Sequence, residues 1–119
     1  MTDPTAACLF CRIIRGEIPA NKVYEDDHVF AFEDISPQAP THVLIIPKKH
    51  ISDIGALSQK DITLVGEMVL MAKKLSENLP SGSQHFRLSV NNGTGAGQSV
   101  FHLHFHFLSG KTFLEDVCV

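Results

Sequence analysis

Phe101-His-Leu-His-Phe-His-Phe107 is the stretch on which the rest of the chain is organised. His102, His104 and His106 alternate there with Phe101, Leu103, Phe105 and Phe107. Successive side chains of an extended strand point to opposite faces, so three imidazoles share one face and four large apolar groups the other. Neighbouring histidines on that face stand about 6.6 Å apart, close enough to share one small ligand. A lone histidine on a strand is usually only the polar side of a half-buried surface. Three of the chain's seven histidines at strict period two mark a site.

Outside that stretch, composition sets the bounds. The chain has 119 residues, 44% of them hydrophobic, which is enough for one core and one domain. Net charge is −3, and the ten Lys and Arg are scattered except for Lys48-Lys49 and Lys73-Lys74. That balance argues against a nucleic-acid footprint and leaves a small nucleotide compatible. No apolar run approaches the ~20 residues of a membrane span. Residues 1–7 have neither the basic start nor the apolar core of a secretion signal, so a cytoplasmic protein is expected. Cys8, Cys11 and Cys118 are an odd number with one close pair, a poor disulfide framework and a better source of metal ligands or free thiols.

Periodicity predicts the elements. After a lead at 1–7 expected to fray, residues 9–15 carry Leu9, Phe10, Ile13 and Ile14 at helical spacing, a short helix stopped by Gly16. Residues 23–25 and 28–33 read as a hairpin turning at Asp26-Asp27, and 34–40, with two prolines, as irregular chain. The β-branched run 43–46 reads as a buried strand. Ser58, with Asp61 three residues on, starts a long helix whose apolar positions are Ile62, Val65, Met68, Val69, Ala72, Leu75 and Leu79, stopped by Pro80 and Gly82. A strand over 86–90 (Phe86, Leu88 and Val90 inward), a glycine-rich loop over 91–97, a final strand over 98–108 and a tail at 111–119 complete the chain. Strands joined by short turns around one inserted helix predict an α+β fold with an antiparallel sheet.

The chemistry follows from the residue types. Neutral imidazole predominates at pH 7 and attacks phosphorus without first losing a proton, so a histidine nucleophile splits one hard displacement into two easier ones. Spacing does not say which of the three attacks. Gly93, Gly95 and Gly97 let backbone N–H groups approach a phosphate, and the Asn91 amide and Ser99 hydroxyl add side-chain donors. Ser99 and His104 are five residues apart and lie on opposite faces of a regular strand, so a bulge or curve must bring the hydroxyl round.

Residues 102–108, together with Ala31-Phe-Glu-Asp-Ile-Ser-Pro-Gln-Ala-Pro-Thr-His42, Pro47-Lys-Lys-His-Ile51 and Gly97-Gln-Ser-Val100, resemble the histidine triad (HIT) family, in its branch of nucleotide-binding nucleoside phosphoramidases. The resemblance covers roughly 8–110. It implies a five-stranded antiparallel sheet with one long and one short helix, continued across a homodimer. A chain this small also covers both faces of its sheet sparingly, which favours a second copy. By resemblance His104 is the nucleophile and His106 contacts phosphate oxygens or orients the site, with Ser99 beside them. Phe10, Ile13, Ile18, Phe32 and Ile35 are carried onto a purine pocket, Asp34 onto the ribose hydroxyls, His42 onto a partner near the catalytic strand, and Asn91, Gly97, Gln98 and Ser99 onto the nucleotide's phosphate end. The implied substrate is a phosphoramidate of AMP or GMP. Gln98-Ser99 favours this branch over the dinucleoside polyphosphate hydrolases, which carry Gln-Thr there. Related animal proteins end in a tryptophan-containing tail that this chain lacks, so leaving-group preference stays open.

Nothing in the sequence excludes a non-catalytic purine-nucleotide binding module, the alternative from a different class. A zinc hydrolase using the triad as ligands is disfavoured because no carboxylate lies beside it in the chain. Cys8-Leu-Phe-Cys11 has the spacing for two thiolates on one zinc, with no second Cys pair, so histidines must complete the set, and His50 and His102 are candidates. The resemblance implies those four ligands and a structural metal that catalysis does not require. A thioredoxin-like redox pair and two metal-free buried thiols are the alternatives.

Overall fold

The computed structural model describes residues 5–80 and 84–113. Five strands, β1 (Lys22–Glu25), β2 (Val29–Glu33), β3 (Thr41–Pro47), β4 (Arg87–Ser89) and β5 (Phe105–Ser109), form one antiparallel sheet in the order β1-β2-β3-β5-β4. Two α-helices accompany it, α1 (Leu9–Ile14) and α2 (Ile62–Ser76). This is the α+β architecture expected from the pattern.

The strands β2 and β3 read as continuous apolar runs because the sheet is covered on both faces. On one face Val29, Ala31, Val43, Ile45, Phe105 and Phe107 pack against Met68, Met71 and Ala72 of α2. On the other, Phe30, Phe32, Leu44 and Ile46 pack against Phe10 and Ile13 of α1. The hairpin register sets Phe32 opposite Leu44, and Leu44 opposite His106. The α1 face of the sheet therefore carries both an apolar floor and the histidines.

Several expectations need correction. The final strand begins at Phe105, because the chain bends through Val100, Phe101 and His102. Phe101, expected in the core, is 47% exposed, while Leu103, Phe105 and Phe107 keep the alternation and stay buried. The bend is the curve that Ser99 and His104 required. Ser58 does cap a helical start with Asp61, whose Oδ2 accepts from Ser58 N at 3.0 Å. That start is a 3₁₀ turn, Gln59–Asp61, and α2 proper ends at Ser76, short of Leu79. Ile62 and Val69 lie away from the sheet at 64% and 48% exposure, beside Leu70 at 63%. A helix lying on one sheet buries a single stripe, here the one through Met68, Met71 and Ala72, and positions on the opposite side stay in solvent. The fourth strand is only three residues long. Phe86 lies before it, partly exposed and stacked on Phe107 with ring centroids 4.8 Å apart.

The end of β5 is sterically determined. Gly110 has φ +99°, and a Cβ there would stand 2.8 Å from Pro40 Cβ, so only glycine lets the strand turn away beside the 34–40 loop. Residues 1–4 of the expected frayed lead, Gly82, and the tail from 114 with Cys118 fall outside the described residues. Among the described residues no helix is long and apolar enough to cross a membrane.

Candidate active site and metal centre

The three triad imidazoles face three different partners, and those partners determine which nitrogen carries each proton. His104 Nδ1 lies 2.8 Å from its own chain's His102 carbonyl, which can only accept, so Nδ1 holds the proton and Nε2 keeps a free lone pair. His102 Nε2 lies 2.8 Å from the Pro47 carbonyl, which leaves Nδ1 as the free donor atom. His106 Nδ1 lies 3.0 Å from His42 Nε2, while His42 Nδ1 accepts from the Gln38 backbone N–H at 3.0 Å. The Gln38 N–H forces His42 to carry its proton on Nε2 and donate to His106, whose remaining N–H, on Nε2, is then a donor. Two separate sets of bonds thus present a lone pair on His104 and a proton on His106.

Electrostatics support the neutral forms. Burial, then the neighbouring His104 and His42, push His106 down to about 4, against a weaker opposing pull from Asp34. His42 is lowered too, again chiefly by burial. Both shifts favour the neutral rings, and the hydrogen-bond chain needs both neutral. Asp34 Oδ2 stands 3.5 Å from His42 Nε2, so a carboxylate does reach the triad's neighbourhood from a distant segment.

His104 and His106 open onto a cavity of about 460 Å³ whose walls include Phe10, Ile13, Ile18, Phe32, Asp34, Ile35 and Ser99. Every residue carried onto the purine pocket lines it, together with Asp34. Leu44 lines it as well and was missed, although β3 alternation puts positions 42, 44 and 46 on one face. Phe10 packs edge-on against both His104 and His102, with centroids 5.3 and 5.9 Å apart. His42 sits behind His106. Asn91, Gly97 and Gln98 do not line the cavity, and Gln98 is turned inward at 3% exposure.

The remaining triad member belongs to a second cluster. Donor atoms of Cys8, Cys11, His50 and His102 all lie within 4.8 Å of one another. His102 Nδ1 is 3.4 Å from Cys8 Sγ and 3.5 Å from Cys11 Sγ, and His50 Nδ1 is 3.3 Å from Cys11 Sγ. Tetrahedral zinc separates sulfur and nitrogen ligands by about 3.6 Å, so the four donors fit such an ion with little movement. The Pro47 carbonyl behind His102 orients that ring as the outer partners of metal-bound histidines do. Because His102 faces the thiols and His106 faces His42, the triad does not converge on one ion, which weighs against a catalytic zinc held by all three.

The sheet, the short helix over its histidine face and the divided triad define a protein of the histidine triad class. The HIT domain matches residues 15–113, and the chain belongs to that family. It is 44% identical over 103 residues to a purine nucleoside phosphoramidase of Escherichia coli strain K12, covering 87% of each chain. The fold is similar to a HIT family hydrolase from Legionella pneumophila, with 46% identity, a TM-score of 0.87 and coverage of 92% and 97%. A zinc-bound histidine triad family protein from Mycobacterium smegmatis is similar at 27% identity and TM-score 0.78, with coverage of 90% and 77%.

Proposed function

We propose that this chain hydrolyses purine nucleoside 5′-monophosphoramidates through a covalent nucleotidyl-His104 intermediate. The observation that carries the reading is the His104 Nδ1 bond to the His102 carbonyl, which leaves Nε2 as a lone pair at the cavity. That nitrogen attacks phosphorus, forming a P–N bond to His104 as the P–N bond to the leaving amine breaks. The amine takes the proton from His106 Nε2, while the His42 Nε2–H stays hydrogen-bonded to His106 Nδ1 and holds that ring in place. Water then displaces His104, releasing the nucleoside monophosphate and returning the proton. Phe10, Ile13, Ile18, Phe32 and Ile35 hold the base by apolar contact, Asp34 accepts from the ribose hydroxyls, and Ser99 donates to phosphate.

Cys8, Cys11, His50 and His102 would hold a zinc ion, supported by their donor spacing and by the zinc-bound relative. Zinc would supply a structural cross-link there and no part of the reaction. The relative named a purine nucleoside phosphoramidase supports the substrate class. Comparing kcat/KM for an AMP-amide and a dinucleoside polyphosphate tests it: the amide should be preferred by at least about a hundredfold, the limit a good polar recognition site exceeds. Equal constants, or preference for the polyphosphate, would move the chain to the polyphosphate hydrolases.

The reading includes a homodimer joined along the edge strand β4. Its support is the short edge strand, the Ser89 hydroxyl buried there without a hydrogen-bond partner, and the exposed Ile62, Val69 and Leu70 on α2. Sedimentation at micromolar concentration should give twice the 13.1 kDa chain mass, and a monomer would contradict it.

A further inference from the structure

Gln98 is buried at 3% exposure, and its carboxamide has no donor to spare. The Nε2 group donates to the Ser52 carbonyl at 2.8 Å and the Val100 carbonyl at 3.1 Å, and Oε1 accepts from the Gly93 N–H at 2.7 Å. Two carbonyls face the nitrogen and an N–H faces the oxygen, so the amide has one possible orientation. The Gln98 backbone N–H also donates to the Gly93 carbonyl at 3.1 Å. Gly93 is therefore gripped at both of its backbone groups by one residue, and the loop from Gly93 to Gln98 is closed into a ring.

The same side chain ties that ring to two other segments. Ser52 follows His50 by two residues, and Val100 is at the bend that delivers Ser99 to the cavity. Among the described residues one other side-chain tie spans from this loop to the 52–56 segment: Asn92 Oδ1 accepts from the Gly55 N–H at 3.1 Å. The loop's own bonds are short and local, such as Gly97 N to the Thr94 carbonyl at 3.0 Å, and Gly97 itself needs φ +95°. A glycine loop with so few outside anchors has no preferred shape of its own. Ser99, which follows the loop directly and lines the cavity, can serve a phosphate there only if something else holds the loop in place.

We propose that Gln98 is the positioning residue of the bend that carries Ser99 to the cavity, with Asn92 holding the other side of the loop before it. It acts through Gly93 and Val100 and touches no substrate atom, since its three polar contacts are all to backbone. The role rests on reading the cavity as a nucleotide site. A direct phosphate ligand would need a free donor, and a plain core amide would not bridge the loop to the bend carrying Ser99.

The test compares AMP with adenosine, which differ by the phosphate alone. In Gln98→Met, which keeps the side chain's length and removes its hydrogen bonds, AMP affinity should fall about tenfold and adenosine affinity stay within about twofold. The kcat/KM for an AMP-amide should fall about a hundredfold, the usual result of moving reacting groups by about 1 Å. Hydrogen exchange at the Gly93 amide should accelerate in the same variant. An unchanged ratio of AMP to adenosine affinity would overturn the proposal, as would fast Gly93 exchange with full activity. Should Gln98→Met lose adenosine binding as well, Asn92→Ala, at an exposed position, carries the test: a loss of about threefold confined to AMP supports the role, and no loss overturns it. Failure of the nucleotide reading itself would show in the wild type, as AMP bound no better than adenosine.

Discussion

His104→Ala is expected to lower turnover of an AMP-amide by at least about 10⁴-fold, as loss of a nucleophile does where the other groups act only in concert with it. The reason is specific to this nitrogen. His102 turns its lone pair to the thiols of Cys8 and Cys11, and the His106 lone pair accepts from His42, so His104 Nε2 alone among the three is free at the cavity. Rapid-quench mass spectrometry of the wild type should trap the nucleotidyl group on the peptide containing His104, and the variant should show no adduct. The variant should still fold, with a lowered unfolding transition because the buried ring packs edge-on against Phe10. Full turnover by the variant, or an adduct on another residue, would refute the assignment.

Protein purified without a His tag or chelator should carry about one zinc per chain, and stripping it should cost several kcal/mol of stability. The four donors come from three separate places: Cys8 and Cys11 at the start of α1, His50 after β3, and His102 before β5. At six residues α1 is too short to persist alone, and it supplies the Leu9, Phe10 and Ile13 side of the cavity wall. A metal bridging it to the two loops would therefore hold the base pocket as well as the fold. Cys11→Ser and His50→Ala should each lose the ion by elemental analysis and lower the denaturation midpoint. Protein free of metal and equally stable, or a Cys8→Ala variant that retains its zinc, would refute the site.

Much of the fold was legible because its local signals agreed with its tertiary demands. Period-two alternation at 103–108 survives in the structure even though only Phe105–Ser109 pairs as a strand. The run 43–46 reads as buried because β3 is the sheet's middle strand, covered by a helix on each side. The errors fall where a residue's environment depends on something far along the chain. Ile62 and Val69 have helical spacing, but which stripe of α2 meets the sheet depends on how the helix is set down on it. Phe101 keeps the alternation in sequence and loses it at the bend.

Residue types and spacing by themselves determined the α+β class, the crowding of three histidines behind a glycine-rich loop, and the close pair Cys8 and Cys11. What the histidines do was decided only in three dimensions. An imidazole's role depends on which nitrogen bears the proton, and that is set by whatever faces the other nitrogen. Here those groups are the carbonyls of His102 and Pro47 and the His42 ring held by the Gln38 N–H, and two of the three come from remote segments. The inward turn of Gln98 is of the same kind: Ser52, 46 residues away, supplies one of its three partners, and no local pattern encodes a contact at that range.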